Sequence, residues 1–180
     1  MLHQIQHLLV SSAPKILRHP AQLMPFSVQK KVMLESLALV FKEAIEDGDF
    51  EFLEGKWLKV EVRDLNLVWH ISSQQGKLVM AEQCVAPDVT FSAELNDLIL
   101  IAGRKEDPDT LFFQRRLCIE GDTELGLEIK NLIGAIEFDN FPSSLTVVLD
   151  KFSSFVQQGL TPLSNNEMNH QYVNQNRSTS

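Results

Sequence analysis

The sequence predicts a single α+β domain: a curved, mixed or antiparallel sheet of about five strands, covered by helices, with an apolar cavity between the two layers. Three observations predict it. Short stretches with period-2 alternation follow one another between residues 58 and 93. Segments with helical spacing of apolar residues lie on either side of them. The composition, 44% hydrophobic over 180 residues, suits one domain with its own core.

Residues 1–27 read as a basic amphipathic arm, divided at Pro14, Pro20 and Pro25. Leu2, Ile5 and Leu9 share a helical face there. With Lys15 and Arg18 they form a candidate membrane contact; the alternative is an arm packed on the domain. Between residues 28 and 47 the pattern is a helix with Val28, Val32, Met33, Leu37, Val40, Phe41 and Ala44 on its apolar stripe, closed by Gly48. Phe50 and Phe52 alternate with Glu51 and Leu53 ahead of a turn at Gly55. Leu58, Val60 and Val62 then alternate with Lys59, Glu61 and Arg63 as a half-buried strand, and Leu67, Trp69 and Ile71 continue the theme. Gln75-Gly76 supplies a hairpin turn into Leu78-Val79-Met80, and Val89, Phe91 and Ala93 form the next strand.

Leu95 to Gly103 predicts a short helix. The stretch from Arg104 to Ile136 then gives a loop, an aromatic helical turn, a strand and a long amphipathic helix. Asp107-Pro108-Asp109 is helix-start chemistry, because Pro fixes its own backbone angle and Asp accepts from orphan amides. Leu117 and Ile119 alternate with Cys118 and Glu120, and Gly121-Asp122-Thr123 stops that strand and caps the next helix. Leu125, Ile129, Leu132, Ile133 and Ile136 fall on one face of it. Pro142 opens a last helix carrying Leu145, Val148, Leu149, Phe152, Phe155 and Val156, which ends at Gly159. The boundaries that result are an arm over 1–27, a domain over 28–159, and a polar tail over 160–180 expected to be disordered.

Net charge is −8, which argues against nucleic acid as a partner. The first 34 residues lack Asp and Glu but carry Lys15, Arg18, Lys30 and Lys31, so this segment suits an anionic surface or another protein. No apolar run reaches the roughly 18 residues of a membrane span and there is no signal-peptide layout, so a cytoplasmic location is expected. Cys84 and Cys118 are expected as reduced, buried thiols.

Catalytic and metal signatures are weak. His3 and His7 have one-face helical spacing but no nearby third ligand, and His70 is expected at a surface opposite Trp69. Glu106, Asp107 and Asp109 lack the glycine and terminal glutamate of a calcium loop, so capping explains them. Arg115-Arg116 either holds an anionic headgroup or forms the solvated side of a short helix. No nucleophile elbow, phosphate loop or dinucleotide fingerprint is present, and no cofactor is implied. The surplus is apolar: eleven Phe against one Tyr suits a dry core or a lipid tunnel.

The pattern DTLFFQRRLCIEGDTELGLEIKNL, Asp109 to Leu132, resembles the sterol carrier protein lipid-binding domain. Taken with FLEGKWLKVEVRDLNLVW (Phe52 to Trp69), DVTFSA (Asp88 to Ala93) and RKEDPDTLFFQRRLCIEGDTELGL (Arg104 to Leu127), it is similar more narrowly to bacterial ubiquinone biosynthesis accessory factors. The resemblance spans roughly Met1 to Gly159. It implies a non-catalytic protein that holds a hydrophobic ligand between sheet and helices. It further implies a role in the oxygen-independent branch of ubiquinone synthesis, presenting polyprenylated ring intermediates to hydroxylases of the U32 peptidase-like type, in the cytoplasm or peripherally at the inner membrane. Spacing nominates Phe112, Phe113, Leu117, Ile119, Leu125, Ile129, Leu132, Ile133, Leu149 and Phe152 as lipid-binding residues. The alternatives are a general phospholipid or fatty-acyl carrier, and an interaction module with a filled core. An enzyme, needing a polar cluster hidden by the linear sequence, comes third.

Overall fold

The computed structural model describes residues 2–135 and 143–160, with the backbone alone at residues 2–7, 11, 15, 17, 21, 143–146, 148 and 149. Helices α1 (Leu2–Leu23), α2 (Phe26–Val40) and α3 (Lys42–Asp47) precede strands β1 (Leu58–Val62), β2 (Leu67–Gln74), β3 (Lys77–Ala81) and β4 (Val89–Ala93). Then come α4 (Leu95–Ala102), α5 (Pro108–Phe113), β5 (Cys118–Gly121), α6 (Thr123–Gly134) and α7 (Ser143–Leu160).

The strands form one mixed sheet in the order β3-β2-β1-β4-β5. Only the central pair, β1 with β4, is parallel. The register places Leu58 beside Ile71 and Val89, and Val60 beside Trp69 and Phe91. These side chains share one face because direction alternates along a strand. Helices cover that face, where Leu53, Leu111, Leu117 and Leu125 join the strand residues in the main core. Gln75 and Gly76 both have positive φ, the two-residue turn whose twist matches a hairpin. Asp88 locks the start of the parallel pair: its carboxylate accepts from the Trp57 amide at 2.8 Å and from Lys56 at 3.4 Å. The Trp57 bond, followed by Lys56, holds its pKa below the ordinary carboxylate value. At the far edge Gly121 has φ 116°, and a Cβ there would collide with the Asp88 carbonyl, so the β4–β5 approach requires glycine.

Three elements differ from the sequence reading. First, α1 does not divide at its prolines; it continues through Pro14 and Pro20 to Leu23. Proline removes the amide that would bond the carbonyl four residues earlier. For Pro14 that carbonyl is Val10's, and it accepts instead from the Asn96 side-chain amide of α4 at 3.5 Å. Val10 is buried there with Leu100 and Val156 of α7. Along this half α1 packs on the domain, and Gln22 adds a hydrogen bond to the Leu65 carbonyl at 3.2 Å.

Second, the helix expected over 28–47 breaks at Phe41, whose φ and ψ of −112° and 30° leave the helical range. Third, residues 51–53 wind into a single 3-10 turn, begun by the Glu51 amide bonding the Gly48 carbonyl at 2.9 Å. Two alternating pairs are too few to distinguish that turn from a strand. Ile136, Phe138, Phe141, Pro142 and the tail from residue 161 lie outside the described residues.

The proline-freed carbonyl gives a double-mutant test. Asn96→Ala should cost about 1 kcal/mol in urea unfolding, and clearly less in a Pro14→Ala background where the Val10 carbonyl regains a helical donor. Equal costs in both backgrounds would show that Asn96 does not serve this carbonyl.

Candidate functional site

The break at Phe41 and the turn at Glu51–Leu53 together raise an aromatic wall. Phe41 meets Phe50 edge-on at 5.5 Å between ring centroids, and Phe50 stacks on Phe52 at 6.3 Å. Behind these rings is a pocket of about 440 Å³. Its floor is the helix-facing side of the sheet: Leu58, Val60, Ile71 and Phe91. Leu37, Leu39 and Val40 close it from α2, Leu98, Ile101 and Ala102 from α4, and Ile129, Leu132 and Ile133 from α6. Leu53 completes the apolar lining. Among the described residues the one lining side chain that is polar is Ser36, and its hydroxyl donates back to the Val32 carbonyl of its own helix at 2.8 Å. Leu39 is 46% exposed, so the mouth opens on the α2 side. A volume between about 300 and 1,000 Å³ is usual for small-molecule sites. A chamber lined in this way can bury hydrocarbon.

Of the residues nominated by spacing, Ile129, Leu132 and Ile133 line this pocket. Leu117 and Leu125 sit in the main core, with Ile119 packed against it. Phe112 and Phe113 lie on the surface, the latter 80% exposed, because α5 is a six-residue helix that buries only Leu111. Phe152 is half exposed on α7, and the Leu149 side chain is outside the described residues. Sequence reasoning missed Phe41, Phe50 and Phe52 as site residues; the signal that could have found them is the phenylalanine surplus. Among the nominated membrane contacts, Leu9 and Arg18 are exposed, while the side chains of Leu2, Ile5 and Lys15 are outside the described residues.

The remaining candidates resolve structurally. Asp107 caps α5 through the Thr110 amide at 2.9 Å, Asp109 pairs with Lys130 at 3.0 Å, and Asp122 caps α6 through the Glu124 amide at 2.9 Å. Arg116 pairs with the buried carboxylate of Asp97, and its carbonyl accepts from Arg63 at 2.7 Å, so it braces α4, β1 and β5. His70 is buried rather than at the surface, since both faces of β2 are covered from Trp69 to Ser73. Cys84 and Cys118 are free and half-buried. Among the described residues no three of His, Cys, Asp and Glu cluster as metal ligands, and no helix is long and apolar enough to cross a membrane.

Residues 34–134 match the model of the SCP-2 sterol transfer family. The chain belongs to that family. Every residue lining the pocket falls within the matched segment. Over 160 residues the chain is 48% identical to the ubiquinone biosynthesis accessory factor UbiT of Escherichia coli strain K12, covering 89% of this chain and 91% of that protein. The figures are the same for UbiT of Escherichia coli O157:H7. Among solved structures, the UbiJ-SCP2 ubiquinone synthesis protein matches with a TM-score of 0.50 at 18% identity, covering 63% of this chain and all of that one, which shows the shared fold. The SCP-2 segment carries the sheet and pocket; α1, α7 and the first half of α2 lie outside it.

An open pocket tolerates filling where a packed core does not. Ala102→Phe should change unfolding free energy by less than about 1 kcal/mol, against the 1–3 kcal/mol typical of overpacking. Urea denaturation measures it, and a loss above that range would mean the space is not available.

Proposed function

We propose that this chain is a non-catalytic lipid-binding accessory factor of ubiquinone biosynthesis. In this reading it holds polyprenylated ring intermediates in the apolar pocket and presents them to partner enzymes. The observation that carries the reading is the lining itself, apolar apart from the internally bonded Ser36. The 48% identity to UbiT supports the pathway. The physical need is plain: each buried CH₂ removes about 0.8 kcal/mol of unfavourable hydration, so a free prenyl tail requires a carrier to leave the bilayer. The resemblance extends the proposal to the oxygen-independent branch and to U32 peptidase-like hydroxylases as recipients.

A pocket of about 440 Å³ takes a molecule of drug-like size. A long prenyl tail therefore runs out past Leu39. Val28 and Val32 lie on the same stripe of α2 and are about half exposed, extending an apolar path from the mouth. On α1, Leu9, Ile16 and Leu23 recur every seven residues and are 51%, 67% and 83% exposed. With Arg18, Lys30 and Lys31 nearby in sequence, this surface suits peripheral contact with an anionic bilayer, where a tail is loaded.

Native mass spectrometry with lipid extraction on gently purified protein tests the proposal. A bound quinone or prenylated phenol is the expected result. Phospholipid or fatty acid alone, not displaced by added quinone, would replace the pathway reading with that of a general lipid carrier. A protein without lipid, under conditions where a control carrier keeps its own, would favour an interaction module.

A further inference from the structure

A second, polar cavity of about 310 Å³ adjoins the apolar pocket. Ile101 and Ile133 line both, so the two chambers adjoin at these side chains. Beyond them the chemistry changes from hydrocarbon to Arg104, Lys105, Glu106 and Asp107, at the turn between α4 and α5. Among the described lining residues two cations and two carboxylates leave no formal net charge. Lys105 is held by Asp150 of α7 at 2.7 Å, and the Asp107 carboxylate is committed to Thr110. Glu106 is half-buried, and its carboxylate has no hydrogen bond or ion pair among the described residues. Glu106 is thus the acceptor of this cavity that no protein donor occupies, open to water or to a donor on an occupant.

We propose that this cavity is the headgroup subsite of the ligand whose tail fills the apolar pocket, and that it selects a neutral, hydroxyl-bearing ring which donates to Glu106. The inference rests on the proposed lipid-binding role of the first pocket. A bare hydrocarbon offers Glu106 no donor in place of water, and an anionic head meets two carboxylates beside the two cations. A phenolic ring supplies the donor and adds no charge. The junction at Ile101 and Ile133 also sets the order of the molecule: the head sits by the α4–α5 turn, and the tail runs under the sheet-facing side of α2 toward Leu39.

The test is competition in native mass spectrometry of the full chain. The probes are 4-dodecylphenol, dodecylbenzene and dodecyl sulfate at equal concentration. The expected result is a preference for the phenol over dodecylbenzene on the order of ten-fold, abolished in Glu106→Ala without loss of dodecylbenzene binding, and partly kept in Glu106→Gln, which retains an acceptor. Equal binding of phenol and dodecylbenzene to the unmodified chain would overturn the subsite and leave the tail pocket standing. A preference for dodecyl sulfate would overturn the neutral head. Binding of none of the three would remove the tail pocket and the subsite with it. The probe comparison uses the unmodified chain and does not depend on how the variants fold.

Discussion

The break in the second helix at Phe41 is the constraint on which the rest depends. A helix continuing in a straight line from Phe26 to Asp47 would keep Phe41 on its own stripe. The chain instead leaves helical geometry for one residue and resumes as α3. Phe41 then meets Phe50, and Phe50 meets Phe52, so three rings stand as a wall in place of filling the interior. Aromatic pairs at these separations contribute roughly 0.5–1.5 kcal/mol beyond burial. Gly48, in the left-handed conformation at φ 83°, reverses the chain between α3 and the turn carrying Phe50 and Phe52. Helix break, glycine and 3-10 turn act as one device that keeps apolar surface apart from apolar surface.

The opposing wall needs rigidity, and the structure supplies it away from the pocket. Asp88 ties the start of β4 to the start of β1. Arg116, reaching Asp97 on one side and receiving Arg63 on the other, binds the sheet to α4. On the outer side of α4, α7 approaches so closely that a Cβ on Gly103 would clash with Ser153. These polar and steric anchors leave the pocket lining free to be apolar. By contrast, no residue of α2 is fully buried. Few buried contacts make an element easier to displace locally, which suits the helix that flanks the mouth.

Much of the scaffold is legible in the sequence, because it obeys local rules. Leu58, Val60 and Val62 alternate as strands do, Gln75-Gly76 turns a hairpin, and Asp107 and Asp122 cap the helices they precede. The face of α6 is legible too, and Ile129, Leu132 and Ile133 of that face line the pocket. The aromatic wall is not. Phe41 belongs to a perfectly good helical stripe, and only tertiary packing decides that the helix ends there. Phe112 and Phe113 mislead for the converse reason: two adjacent rings suggest a lining, yet a six-residue helix has one inner face and Leu111 takes it. Pro14 reads as a terminator, and the partner that makes it tolerable is Asn96, 82 positions away in the chain. Cavities are set by where elements fail to meet, and spacing within one element does not encode that.

The most direct test of a hydrocarbon site behind this wall is methyl NMR on isoleucine-labelled full-length protein, titrated with a short-tailed ubiquinone. The account predicts that the methyl signals of Ile71, Ile129 and Ile133 shift with a common binding curve, while those of Ile45 and Ile119, which do not line the pocket, stay in place. Shifts confined to surface methyls such as Ile16, with Ile71 and Ile129 unmoved, would contradict it.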